Sequence, residues 1–548
     1  MSVLGKKWEI QNTSEKSVVD KICENRGLSD PNDLTQFLEP DFEKDFHDPF
    51  LLPGMQKAVD RIKSAIANKE RIMIYGDYDM DGISGTAIMF IALQKLGAEV
   101  SYRLPHRVND GYGLSEKFVG EFDDVDVKLV ITVDCGISNA DEIAKASQKG
   151  IDVIITDHHT VPEKYPEAAY EVVHPLRADS KYPFKQLTGA GVAFKVVQAL
   201  FGKDPFVYQI LDLASLGTVA DCGPIVGENR LIVKKGLEIL PQTKWEGLKA
   251  LLESAGVNTE RPLNTFTIGY QIAPRINAAG RIDSPYHALQ LLVKEDPKNL
   301  ADKLETLNRK RQDMLKKAQE EAEKRYVESD DNFIIIDYDK NWHVGIIGLV
   351  AGKLAEKFNK PAIILQEFDD YMVASARSPE FFNIVEALAE HKDYLMHFGG
   401  HAQAAGFNIK KEKFKDFKVA INAYAKENLS SCEIVSSLPI DCEIKPDEMN
   451  WETFEFIRSM EPYGISNERP TFLLKDAVIQ HAKVVGKDEK HLSVYINKGG
   501  VNIRGIAFNL GEHADYVRNQ RSLDIVFQLD ENEWKGKSSL QMKILDFS

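Results

Sequence analysis

The chain has 548 residues, 43% of them hydrophobic and 28% charged, with a formal net charge of −16; it is too long for one hydrophobic core, so about three or four domains are expected. No run reaches the roughly 18 uninterrupted apolar residues of a membrane helix, and Met1 to Trp8 shows no apolar stretch with a small-residue cleavage site, so a cytoplasmic protein is expected. The acidic balance alone argues against a polyanionic partner, yet a metal site would absorb part of it and a nucleic-acid enzyme needs only a local basic track, so charge excludes neither.

Residues 1 to about 50 read as a short helical or irregular leading segment, punctuated by Pro31, Pro40, Pro49 and Pro53. From about 55 to 240, short β-branched runs alternate with helical stretches, the pattern of a doubly wound parallel sheet. Three predicted strands run straight into ligand chemistry. Arg71 to Tyr75 leads into Gly76-Asp77-Tyr78-Asp79-Met80-Asp81-Gly82, Lys128 to Val133 into Asp134-Cys135-Gly136, and Ile151 to Thr156 into Asp157-His158-His159. Adjacent parallel strands open at their carboxyl ends on one crevice, which would gather these carboxylates and both imidazoles. Packed carboxylates repel one another unless cations lie between them.

The Asp77-x-Asp79-x-Asp81-Gly82 string resembles the start of a calcium loop, but the expected acidic twelfth position is missing and a strand precedes it in place of a helix. Ser84 is the expected cap of a helix from Gly85 to Leu96, ended by Gly97. Asp221 closes an apolar helix from Ile210 to Ala220, where an acid opposes the helix dipole and wants a cation nearby. Carboxylate-rich ligation with an imidazole suits Mn²⁺ or Mg²⁺ better than Zn²⁺. Two such ions can activate a water and polarise a phosphoryl oxygen, so the expected chemistry is two-metal hydrolysis with no nucleophilic side chain. The cysteines, Cys23, Cys135, Cys222, Cys432 and Cys442, form no C-x-x-C pair; Cys135 and Cys222 read as small buried fillers behind the site.

A long charged helix is predicted from Pro297 to about Asp330, with Leu300, Leu304, Leu307 and Met314 at helical spacing and a basic cluster from Asn308 to Gln312. A second α/β unit follows: strands at Phe333 to Asp337, Pro361 to Leu365 and Met372 to Ser375, then the glycine-rich run Phe398-Gly-Gly-His401-Ala-Gln-Ala-Ala-Gly-Phe407, where His401 can meet an anion. Beyond about 435 the period becomes two, and Leu492 to Asn497, Ile503 to Phe508 and Leu523 to Leu529 read as strands of a small antiparallel barrel.

These motifs resemble the DHH phosphoesterase family, and more closely its RecJ family of bacterial single-strand-specific exonucleases. The resemblance runs from about residue 45 to the C-terminus through Tyr75 to Ile83, Val133 to Ile137, Thr156 to His159, Gly217 to Pro224, Ala273 to Arg281, Ser375 to Ser378 and Gly399 to Phe407. It implies an α/β architecture: an N-terminal segment (1–50), a doubly wound parallel-sheet DHH catalytic domain (51–295), a long connector helix (296–330), a second α/β DHH-associated domain (331–432) and an OB-like β-barrel that binds nucleic acid (433–548). It implies Asp77, Asp79, Asp81, Asp134, His158 and Asp221 as ligands of two Mn²⁺ or Mg²⁺ ions, His159 facing the scissile phosphate, and Asp157 orienting a histidine. Arg107, Arg275, Arg281, Ser375, Arg377 and His401 match phosphate-binding positions, and Trp534 resembles a stacking residue for single strands. One departure is Pro462-Tyr-Gly-Ile-Ser-Asn-Glu-Arg-Pro470, which lacks a glycine and a proline of the family string and bears on the approach to the barrel.

The implied activity is release of mononucleotides from the 5′ end of single-stranded DNA, in DNA repair and recombination; polarity comes from the resemblance alone. The alternative is a DHH phosphodiesterase acting on short oligoribonucleotides, cyclic dinucleotides or a phosphorylated nucleotide, which the C-terminal barrel disfavours because it suits a long polymer. A non-catalytic replication scaffold is disfavoured by the complete ligand set. A single-strand-binding protein and a helicase are candidate partners that the sequence leaves open.

Overall fold

The computed structural model describes residues 2–107, 110–111, 113–294, 296–326, 332–430, 435–534 and 536–548. Cys432 and the predicted domain joins at 330/331 and 432/433 lie outside the described residues. The chain divides into two units, one of residues 47–223 and 232–434, the other of residues 1–46, 224–231 and 435–548. Residues 224–231, expected within the catalytic domain, thus cluster with the second unit. Among the described residues no helix is long and apolar enough to cross a membrane.

Strand β1 (Lys7–Asn12) belongs to the second unit. The larger unit begins its parallel sheet with β2 (Arg71–Gly76), followed by helix α1 (Met80–Lys95), β3 (Glu99–Arg103), β4 (Val127–Val133), β5 (Asp152–Thr156) and β6 (Glu171–Val173). The strand order is β3-β2-β4-β5-β6, all parallel. The chain leaves β2 toward β3 on one side and returns to β4 on the other, so the order reverses between β2 and β4 and the crevice opens there. Interior strands are buried along nearly their whole length, as near-continuous Val/Ile runs in a sheet covered on both faces must be. Helix α1 is buried almost all round, packed between the sheet, α2 (Gly189–Phe201) and α3 (Leu211–Ala220). It starts earlier than the Ser84 cap expected from sequence. Asp79 is the N-cap and its Oδ1 accepts the Asp81 and Gly82 N–H groups at 3.0 and 3.2 Å, while Ser84 is buried inside the helix.

Helix α4 (Ala273–Ile282) and the long helix α5 (Pro297–Arg325) follow; Leu304 and Leu307 of α5 are buried. A mixed sheet then forms from β7 (Ile335–Asp339), β8 (Ala362–Glu367), β9 (Tyr371–Arg377), β10 (Leu395–His401) and β11 (Ala404–Lys410), with α6 (Val344–Phe358) between β7 and β8. Its order is β10-β11-β9-β8-β7, with β7 and β8 parallel and the remaining neighbours antiparallel.

In the second unit, β12 (Ser437–Glu443), β13 (Phe472–Val485), β14 (His491–Lys498), β15 (Val501–Ala507), β16 (Ser522–Trp534) and β17 (Lys537–Phe547) form one sheet. Pairing of β13 with β16 closes β13-β14-β15-β17-β16 into a five-stranded barrel. The barrel is not wholly antiparallel: β15 and β17 run parallel, Arg504 beside Gln541. The leading segment is also more ordered than its sequence suggests. β1 adds to the sheet in parallel with β12, Lys7 opposite Ser437, and the helix Val18–Asn25 buries Val18 and Ile22 in the core that holds Phe472 and Phe527. Trp534 lies exposed at the end of the β16–β17 hairpin.

Candidate metal centre and phosphate pocket

Strand register builds the centre. Gly76 lies opposite Val133, and Val133 opposite Thr156, so Asp77, Asp134 and Asp157, each one residue further on, stand in a row at the carboxyl ends of β2, β4 and β5. Asp134 takes a left-handed conformation, φ 61°, which a non-glycine residue holds only under constraint. Its N–H donates to the Thr156 carbonyl at 3.0 Å. From outside the strands, Asp221 arrives as the C-cap of α3.

Ligand atoms of Asp77, Asp79 and Asp134 form one compact group, those of Asp81, His158 and Asp221 a second, and those of Asp134, His158 and His159 a third, each within 4.8 Å. His158 Nε2 is 3.0 Å from Asp134 Oδ1, 3.7 Å from Asp221 Oδ2 and 3.9 Å from Asp81 Oδ2. The first two groups suit two cations, with Asp134 and His158 where they meet. Asp77 Oδ1 and His158 Nε2 are buried without a hydrogen bond, which is costly unless something else occupies them. The donor set, carboxylates and one neutral imidazole, fits Mn²⁺ or Mg²⁺.

Electrostatics separate the two histidines. Burial first, and the neighbouring His159 charge second, push the His158 imidazole down to about 4, leaving it an unprotonated donor. Burial, the largest influence, works against charge on His159, but its Nδ1 hydrogen bond to Asp157 Oδ1 at 2.7 Å and the negative charges of Asp157, Asp221 and Asp77 together overcome it and lift the group to about 9. Burial would raise Asp157, yet the same pair holds it at about 2. Asp157 is fully buried and also accepts the His158, His159 and Ile137 N–H groups, so it organises the loop and does not face the centre as a free ligand.

Burial first, and crowding by like charge second, push Asp81 up to about 7 and Asp221 up to about 8, and hold Asp77 and Asp134 well above the carboxylate range. A carboxyl raised above its unfolded value binds more protons when folded, so stability is lost as pH climbs from about 4 through about 8. Cations compete with those protons. In chelator, the melting temperature is therefore expected to fall between about pH 5 and pH 8, and added Mn²⁺ to raise it more at the higher pH. Thermal melts with and without Mn²⁺ check this; equal shifts at both pH values would contradict it.

Backbone groups that sequence reasoning missed brace the centre. Asp81 accepts N–H groups of Gly189 at 2.6 Å and Ala190 at 2.9 Å, at the start of α2. A Cβ on Gly189 would lie 2.5 Å from Asp134 Cβ, and one on Gly217 would lie 2.5 Å from Asp81 Oδ1. Glycine at both positions is a steric requirement. Asn277 Oδ1 accepts the Met80 N–H at 2.8 Å, tying α4 to the loop. The signal available in sequence was the Thr188-Gly-Ala-Gly191 run before an apolar helix. Cys135 is buried as expected, but Cys222 is exposed, because the chain leaves α3 there in a left-handed turn, φ 58°.

Beside the metal groups lies a cluster of guanidinium groups. Arg107 Cζ sits 4.0 Å over the Tyr78 ring, and Arg107 Nε is buried without a hydrogen bond. Burial, then the charges of Arg107, Arg311 and Arg377, bring Arg281 down to about 9, against the pull of Asp79. Burial and Arg107 also lower Arg377, which donates to Ser375 Oγ at 3.2 Å. Gly345 and Gly348 of α6 admit these groups: an added Cβ would fall 2.0 Å from the Arg281 carbonyl and 2.8 Å from Ser375 Oγ. Arg377 and Ser375 are registered against Ala404 and Gly406, so the glycine-rich hairpin flanks them. Arg275 pairs through Nε with Glu305 at 2.7 Å and donates from Nη1 to the Gln271 carbonyl at 2.5 Å, and its charge acts on Arg311. His401 stands exposed on the β10–β11 hairpin.

Family models match three segments: the DHH family N-terminal domain over residues 71–218, the DHHA1 domain over 330–427 and the RecJ OB domain over 440–546. The single-stranded-DNA-specific exonuclease RecJ of Bacillus subtilis is 36% identical, across 98% of this chain and 70% of that protein. That of Escherichia coli is 32% identical across 90% of both. The structure of RecJ in complex with Mn²⁺ from Thermus thermophilus superposes with a TM-score of 0.83 at 31% identity, covering 97% of this chain and 75% of that one. With a metal-ligand crevice, a guanidinium cluster and a closed barrel all on one chain, the similarity is to whole proteins and not to a shared catalytic module: the chain belongs to the RecJ family of single-stranded-DNA-specific exonucleases.

Proposed function

We infer that this protein hydrolyses single-stranded DNA from the 5′ end, releasing mononucleotides. The observation that carries the reading is the juxtaposition of two ligand groups meeting at Asp134 and His158 with a cluster of arginines whose charges repel one another. That cluster wants a polyanion as strongly as the carboxylates want cations. Asp77, Asp79, Asp81, Asp134, His158 and Asp221 would hold two Mn²⁺ or Mg²⁺ ions, which when bound supply an activated water and Lewis-acid polarisation of the phosphate. His159, kept protonated by Asp157, faces the scissile phosphate and stabilises the charge that develops on its oxygens. Arg107, Arg281, Ser375 and Arg377 hold the terminal 5′-phosphate, which sets the direction of attack. The barrel, with exposed Trp534, suits single-strand binding by stacking and charge. Such an enzyme acts in DNA repair and recombination in the cytoplasm, where a helicase would supply single strands and a single-strand-binding protein would cover them.

Matched single-stranded DNA and RNA, labelled at either end and digested with Mn²⁺, Mg²⁺ or chelator, test the reading. Mononucleotide carrying the 5′ label of DNA is expected first, and nothing in chelator. Release from the 3′ end, or preference for RNA of a few residues, would favour the short-oligonucleotide phosphodiesterase instead.

A further inference from the structure

Behind the two histidines lies a third, His174, just after β6 and wholly buried. Its Nδ1 accepts the Leu176 N–H at 3.0 Å, so that nitrogen carries no proton. The hydrogen is therefore on Nε2, which donates to the His159 backbone carbonyl at 2.8 Å. The turn holding His174 is itself anchored: Arg177 donates to the Val172 carbonyl at 2.7 Å and pairs with Glu171 at 2.8 Å and Asp179 at 2.9 Å. The His158–His159 loop is thus gripped from two sides, by the Asp157 carboxylate through its N–H groups and by His174 through its carbonyl.

We propose that His174 is a positioning residue for the hydrolysis: by fixing the His159 carbonyl against an anchored turn, it sets the direction in which the His159 imidazole meets the phosphate. The inference rests on the role given to His159 above. An imidazole suits the task because it accepts on one edge and donates from the other within one rigid plane. Glutamine can place an amide N–H near the Nε2 position and still reach the carbonyl; asparagine can only replace the Nδ1 contact, and phenylalanine neither.

The test compares His174→Asn, His174→Phe and His174→Gln in the full chain, on 5′-phosphorylated single-stranded DNA with Mn²⁺. In the Asn and Phe variants kcat is expected to fall about 10- to 100-fold, as for outer partners of catalytic groups, with KM and single-strand binding unchanged and much of the rate recovered in Gln. If His174 acts through His159, adding His174→Asn to His159→Ala costs little further rate. Losses that multiply in the double variant, an unaltered kcat, or Gln failing alongside Asn and Phe with lowered melting temperature in all three would overturn the proposal. His159→Ala at wild-type rate would instead overturn the reading of His159 on which it rests. If Asn and Phe do not fold, Gln and the smaller His174→Ser, which leaves the His159 carbonyl without this donor, decide: near-normal kcat in Gln with a fall in Ser supports the carbonyl contact, and a fall in Gln with intact folding, or an unaltered kcat in Ser, overturns it.

Discussion

Asp81→Ala or His158→Ala is expected to lower exonuclease turnover by more than the roughly 100-fold typical of losing an outer partner of a metal site, while single-stranded DNA binding stays measurable. Both side chains reach into the same group of ligand atoms, His158 Nε2 being 3.9 Å from Asp81 Oδ2. The arginines that would grip the substrate are on separate elements, so their removal from play is not expected. The two variants should differ in stability. Asp81→Ala leaves the Gly189 and Ala190 N–H groups without their acceptor at the start of a helix, a loss of about 1–3 kcal/mol. His158→Ala leaves those bonds untouched. Asp81→Asn keeps one acceptor oxygen for these two N–H groups and sets an NH2 against the other, so it is expected to lose turnover with a smaller loss of stability than Asp81→Ala. Turnover on end-labelled DNA together with filter binding checks the prediction, and full activity in either alanine variant would remove the two-metal assignment.

The second large effect is expected at Arg377. Arg377→Ala should reduce the preference for a 5′-phosphorylated over a 5′-hydroxyl end by about 10- to 100-fold, the equivalent of a charge-assisted hydrogen bond of roughly 1.5–3 kcal/mol. The effect on stability should be small: deleting one guanidinium relieves repulsion at Arg281 but removes the bonds of Arg377 to Ser375 Oγ and the Ala376 carbonyl. A variant with a melting temperature little changed that no longer distinguishes the two ends is the expected signature. If discrimination survives, Arg377 is not what holds the terminal phosphate.

Much of the centre was legible in sequence because the grammar of a parallel sheet is local: a β-branched run, an acidic turn, then a helix. Three such units in succession are enough to predict that Asp77, Asp134 and the Asp157 triplet converge, and the register does align them. What sequence did not expose is non-local or depends on competition between roles. Asp79 reads as a ligand, so its capping of α1 passed unnoticed and the helix start was assigned to Ser84. That Glu305, thirty residues on, pairs with Arg275 is likewise invisible until the fold brings them together. Gly189 and Gly217 look like ordinary helix residues, and only the packing of Asp134 and Asp81 against them gives the absent side chains a meaning. The parallel β15–β17 pair likewise arises from a crossover that a period-two pattern cannot reveal.

Strand β1 carries a consequence for how the protein is made. Its partner begins at Ser437, opposite Lys7. A ribosome adding about 5–20 residues per second reaches that partner some 20–90 s after β1 has emerged. Throughout that interval β1 has both edges open, the condition under which strands recruit one another between nascent chains. Its own composition answers the hazard. Lys7, Glu9, Gln11 and Asn12 interrupt Trp8 and Ile10, so the strand presents polar side chains at every second position while it waits for β12.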